Sequence, residues 1–116
     1  MLDTIELSKK LISFDSVTPA KQDIFDFLIK VFEENGFTTK QLNFDGDGSY
    51  EVINIMATYG PTNTNGKHFN FLCHVDVVPP GNLEDWDTPP FEPTIKDGYL
   101  CLLYTSPSPR DSRKSR

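Results

Sequence analysis

Residues 22–44, QDIFDFLIKVFEENGFTTKQLNF, hold the change of periodicity on which the fold turns. Ile24, Phe27, Leu28, Val31 and Phe32 fall at i, i+3, i+4, i+7 and i+8, the spacing of a helix that lays one face on a core. Asn35-Gly36 then offers the left-handed residue on which helices end. Directly behind it, residues 37–44 read as a strand.

Working outward, Asp3-Thr4-Ile5-Glu6 has capping-box spacing and predicts a helix starting at Asp3, with its side chain accepting from the Glu6 amide. Leu7 and Leu11, and Ile5 and Ile12, give that helix one apolar stripe. A loop from Ser13 to Pro19 separates the two helices. Downstream, Asp45-Gly46-Asp47-Gly48 reads as a turn, and residues 50–59 as a second strand with Ile53, Ile55 and Ala57 on one face. Residues 60–67 form a polar loop, residues 68–78 a third strand rich in Phe and Val, and residues 95–100 the first half of a hairpin around Asp97-Gly98. Two helices followed by strands of a mixed sheet place the chain in the α/β class.

Composition narrows the function. The chain has 116 residues, 37% of them hydrophobic, with 9 Phe and a formal charge of −6. Residues 1–100 carry 7 Lys and Arg against 16 Asp and Glu, a formal −9, whereas residues 101–116 carry 4 against 1, a formal +3. An acidic body argues against a nucleic-acid partner, because phosphate binding needs clustered Lys and Arg. No apolar run approaches the ~18 residues of a membrane span, and no leader is visible at the amino terminus. A cytoplasmic protein acting on a small molecule is expected. Cys73 and Cys101 do not suggest a disulfide framework.

The chemistry concentrates in residues 69–78, FNFLCHVDVV. In a strand, alternation puts His74 and Asp76 on one face, about 6.5–7 Å apart. Pro79-Pro80-Gly81 then ends the element, leaving the pair at a carboxyl end, where open α/β sheets place their ligands. Zinc sites often back an imidazole with a carboxylate, which fixes its tautomer. A lone His-x-Asp is more often a satisfied histidine, and one imidazole does not hold a metal. Cys73 falls on the opposite face and reads as a small buried apolar residue. Trp86 and Phe91 read as anchors of a Pro-rich loop, and Glu84, Asp85 and Asp87 as a solvated acidic run. His68 reads as exposed.

The surrounding residues add a resemblance. His74-Val75-Asp76-Val77-Val78-Pro79-Pro80-Gly81, Trp86, Pro89-Pro90-Phe91-Glu92-Pro93 and Asp97-Gly98-Tyr99-Leu100 resemble, in order and spacing, the co-catalytic zinc amidohydrolases. Ser16-Val17-Thr18-Pro19 and the doubled proline are most similar to the desuccinylase branch. The likeness covers residues 1–100. It implies that His74 is a metal ligand for one of two zinc ions, with cobalt a possible substitute. It also implies that Asp76 is the catalytic-site aspartate supporting His74, and that the full-length parent is a homodimer. Sister amidohydrolases (acetylornithine deacetylases or aminoacylases) are the nearest alternative, and a complete, non-catalytic binding domain is another.

Two positions depart from the family pattern. A small residue, commonly glycine, precedes the metal histidine there, where this chain has Cys73. After Asp-Gly-x-Leu the family continues Tyr-Gly-Arg-Gly and soon supplies the aspartate that bridges both metals, whereas this chain continues Cys101-Leu102-Leu103-Tyr104. The bridging aspartate, the general-base glutamate, the other ligands and the substrate-binding arginines have no counterpart. Residues 1–100 are therefore expected to be a truncated catalytic domain, inactive alone, and residues 101–116 a foreign, adapter-derived tail without stable packing.

Overall fold

The computed structural model describes residues 3–61 and 65–101. Helix α1 spans Thr4–Ile12, α2 Gln22–Glu34, strand β1 Thr38–Phe44, β2 Val52–Thr58, β3 Thr94–Lys96 and β4 Tyr99–Cys101. Helices precede strands, as the α/β reading requires. The strands form two separate antiparallel pairs, β1–β2 and β3–β4, and among the described residues parallel pairing is confined to an isolated bridge between Val17 and Val77. The expected tail falls largely on residues 102–116, outside the described residues. Among the described residues, no helix is long and apolar enough to cross a membrane.

The chain divides into two compact units. The unit of residues 19–76 holds α2, β1 and β2. Ile24 and Phe25 are its buried apolar residues, and α2 lies against the β1–β2 pair. Phe25 lies outside the stripe read from periodicity; burial extends one residue around the helix. The register pairs Thr38 with Thr58 and Phe44 with Val52, so Ile53, Ile55 and Ala57 share the better-covered face. At the end of α2 the Phe37 amide donates to the Phe32 carbonyl (3.0 Å) and the Gly36 amide to the Glu33 carbonyl (3.0 Å). Gly36 has φ +83°. With the Phe32 and Phe37 rings 5.2 Å apart, this is a complete Schellman motif with its apolar contact.

The unit of residues 1–18 and 77–116 begins with α1. Asp3 Oδ1 accepts from the amides of Ile5 (2.7 Å) and Glu6 (3.4 Å), so the cap forms as read, with its stronger bond one residue earlier. Leu7, Leu11 and Ile12 are half-buried, while Ile5 is exposed. Val77 is clamped by two backbone bonds: its amide donates to the Ser16 carbonyl and the Thr18 amide donates to its carbonyl, both at 3.0 Å. Trp86 Nε1 donates to the Pro80 carbonyl (2.9 Å), anchoring the Pro-rich loop. The β3–β4 hairpin turns through Asp97 (φ 52°) and Gly98 (φ 79°), the left-handed pair of a type I′ turn.

One expected element does not form. Residues 68–76 have no ladder partner among the described residues, so the strand read at 68–78 is not one. Composition favours an extended backbone, but a strand exists only where a neighbour takes up its N–H and C=O groups. The same lack of a neighbour corrects Cys73, which is exposed and not buried.

Gly36→Ala should destabilise the unit of residues 19–76 by about 1–2 kcal/mol, because its Cβ meets the left-handed backbone. Ile24→Ala should cost about 2–5 kcal/mol through the cavity it leaves. Denaturant midpoints compared with the parent chain measure both.

Candidate functional site

His74 and Asp76 meet although no strand holds them. His74 Nδ1 lies 3.0 Å from Asp76 Oδ1 and 3.0 Å from the Asp76 backbone carbonyl oxygen. A carbonyl can only accept, so Nδ1 carries the hydrogen and donates to both oxygens. In the neutral ring the lone pair then sits on Nε2, which has no hydrogen-bond partner among the described residues. The His74 side chain is 65% exposed.

Alternation accounts for the meeting. In a chain without helix or turn, residues two apart share a side, and the shared side is visible again at Phe69 and Phe71, whose rings are 4.7 Å apart. The geometry is therefore local and needs no sheet. Its chemistry fits a metal-binding imidazole with a carboxylate behind it, as one contribution to a ligand set. Among the described residues no group of three or more His, Cys, Asp or Glu could hold a metal ion. His68 is exposed, and Glu84, Asp85 and Asp87 are exposed as read.

The unit of residues 1–18 and 77–116 carries a feature that sequence reasoning did not reveal. Val17, Pro80, Leu83, Pro90 and Phe91 line an open, mainly apolar groove, with Asp15 and Glu92 also on its wall. The Val17–Val77 bridge brings its two stretches together. They lie about sixty positions apart in the chain, and no local pattern signals such a pairing.

No family model matches the chain. Over 100 residues, 85% of its length, it is 43% identical to a succinyl-diaminopimelate desuccinylase of Wolbachia from Brugia malayi, covering 24% of that protein. Over 96 residues, 83% of its length, it is 45% identical to a protein of the same name from Pelagibacter ubique, again covering 24%. The corresponding protein of Methylococcus capsulatus is 42% identical over 100 residues, 86% of this chain and 24% of that protein. The chain is a relative of the succinyl-diaminopimelate desuccinylases. It spans about a quarter of the length of the curated relatives it matches.

The bond to Asp76 should be visible in the His74 ring. At a pH where the ring is neutral, nitrogen chemical shifts should show the hydrogen mainly on Nδ1. Asp76→Ala should move it partly to Nε2, since the backbone carbonyl remains as the only acceptor. An unchanged tautomer ratio would show that the carboxylate does not set it.

Proposed function

We propose that this chain is part of a zinc-dependent desuccinylase that hydrolyses N-succinyl-LL-2,6-diaminopimelate to succinate and LL-2,6-diaminopimelate, in the cytoplasm, on the route to lysine. The names and identities of its relatives support the substrate. The observation that carries the chemistry is the 3.0 Å bond from His74 Nδ1 to Asp76 Oδ1, which leaves Nε2 to bind a metal.

Within this reading each residue has a separate task. His74 offers the Nε2 lone pair as one ligand of one zinc. Asp76 accepts from Nδ1, holds the ring in that tautomer and orientation, and makes the imidazole a stronger donor to the metal. Asp76 thus acts through His74 and is a positioning residue. Zinc, when bound, supplies a Lewis acid and a water of lowered pKa. The remaining ligands, the proton-accepting glutamate and the carboxylate-binding arginines belong to the longer enzyme, a cytoplasmic homodimer in which cobalt could replace zinc.

In a full-length enzyme bearing this segment, His74→Ala should remove most of the bound metal and most succinate release. Asp76→Ala should preserve the fold and lower metal affinity or activity by about 10–100-fold. The 116-residue chain, offering one imidazole, should emerge from dialysis against zinc without stoichiometric metal and release no succinate, because zinc sites use three or four protein ligands. Metal analysis and a succinate assay decide both. Stoichiometric zinc with turnover in the short chain would reveal an unrecognised ligand set, and a full-length enzyme indifferent to His74→Ala would refute the metal assignment.

A further inference from the structure

The Asp76 carbonyl and the Val77 amide are the two ends of one peptide group, and both ends are engaged. The carbonyl oxygen accepts the hydrogen of His74 Nδ1 at 3.0 Å, and the amide donates to the Ser16 carbonyl at 3.0 Å. A peptide group is planar and trans, so its C=O and N–H point in opposite directions. Holding the N–H therefore aims the C=O. The acceptor is itself well anchored: Ser16 is 5% exposed, and its own amide donates to the Phe14 carbonyl (2.9 Å). At the next peptide group, the Val77 carbonyl accepts from the Thr18 amide (3.0 Å) and from the Thr18 hydroxyl (3.3 Å).

We propose that Ser16 and Thr18 are positioning residues for His74, acting through the Asp76–Val77 peptide group. The Asp76 carboxylate turns about two side-chain bonds and is 40% exposed, whereas the Asp76 carbonyl is aimed by a backbone held on both sides of Val77. The carboxylate supplies the charge and the clamped carbonyl supplies the direction. A peptide group that accepts at one end and donates at the other strengthens both bonds, so the clamp also favours the hydrogen on Nδ1. The consequence for metal binding rests on the zinc reading, in which Nε2 is the ligand. The effect on the ring does not.

Ring nitrogen chemical shifts of the metal-free 116-residue chain test this, at a pH where the His74 ring is neutral and in an Asp76→Ala background. There the backbone carbonyl of residue 76 is the acceptor that remains, so its direction decides the ratio of Nδ1–H to Nε2–H rings. Val77→Pro removes the amide that Ser16 holds but keeps that carbonyl, and should lower the ratio by about threefold, the scale of one neutral hydrogen bond. Val77→Ala retains the amide and should leave the ratio near that of Asp76→Ala alone. Thr18→Val removes the hydroxyl donor and should lower it by about twofold, whereas Thr18→Ser should keep the ratio near the background value. Should Val77→Pro fail to fold, the Thr18→Val and Thr18→Ser pair decides. A ratio unmoved by a folded Val77→Pro or by Thr18→Val, or moved as far by Val77→Ala or Thr18→Ser, would overturn the proposal. Because no metal is present, this outcome is separate from that of the zinc reading, which His74→Ala tests in the full-length enzyme.

Discussion

A helix that must bury its apolar stripe and cap its last carbonyls leaves the chain behind it few paths. At the end of α2 both demands meet in three residues. Gly36 takes the left-handed backbone that lets its own amide and that of Phe37 return to the carbonyls of Glu33 and Phe32. The turn that satisfies those carbonyls also sets the Phe37 ring 5.2 Å from Phe32 and 5.2 Å from Tyr59. β1 starts one residue later and β2 pairs with it along its whole length. The backbone at Gly36 therefore fixes the direction in which β1 leaves α2, and with it the surface that Ile24 and Phe25 meet. A side chain at Gly36 would strain the left-handed backbone while standing 3.5 Å from Tyr59 Cε2, so conformation and not crowding limits this position.

The elements legible in the sequence are those whose cause lies within a few residues. Asp3 caps α1 because its carboxylate reaches amides two and three residues on. Asp97-Gly98 closes the β3–β4 hairpin because both residues accept positive φ. Trp86 secures its loop through the carbonyl of Pro80, six residues back. Residues 68–78 behave differently. Their composition and alternation are those of a strand, yet strand formation is a property of the neighbour as much as of the sequence. The burial expected at Cys73 fails for the same reason, since a face is buried only by the layer laid over it. The clamp on Val77 was equally invisible in the sequence, because its partners Ser16 and Thr18 lie in a distant loop.

The candidate site combines a local part and a distant part, and only the local part could be read. His74 and Asp76 meet through a two-residue alternation, which acts in any extended chain whether or not a sheet surrounds it. The backbone carbonyl of Asp76 adds a second acceptor for the same nitrogen, a contact that residue spacing alone did not suggest. Other ligands to a metal would have to arrive from elsewhere in a fold, and their identity is not encoded near His74.

This division has an energetic consequence for how such a site assembles. Holding an exposed imidazole in one tautomer and orientation costs side-chain entropy, and here a carboxylate and a carbonyl two residues away offset part of that cost. The Nδ1 donor is satisfied on both of its acceptors, while Nε2 has no hydrogen-bond partner among the described residues, on a side chain that is mostly exposed. Ordering the ring early in this way lowers the cost of gathering further ligands around it, because one member of the set needs no further arrangement. It does not replace those ligands, since a single imidazole lacks the three or four contacts on which zinc sites rest. If His74 binds zinc as proposed, the pair is a pre-formed corner of a site whose other corners depend on long-range structure, and the metal's affinity would rise with those corners far more than with any refinement of His74 and Asp76.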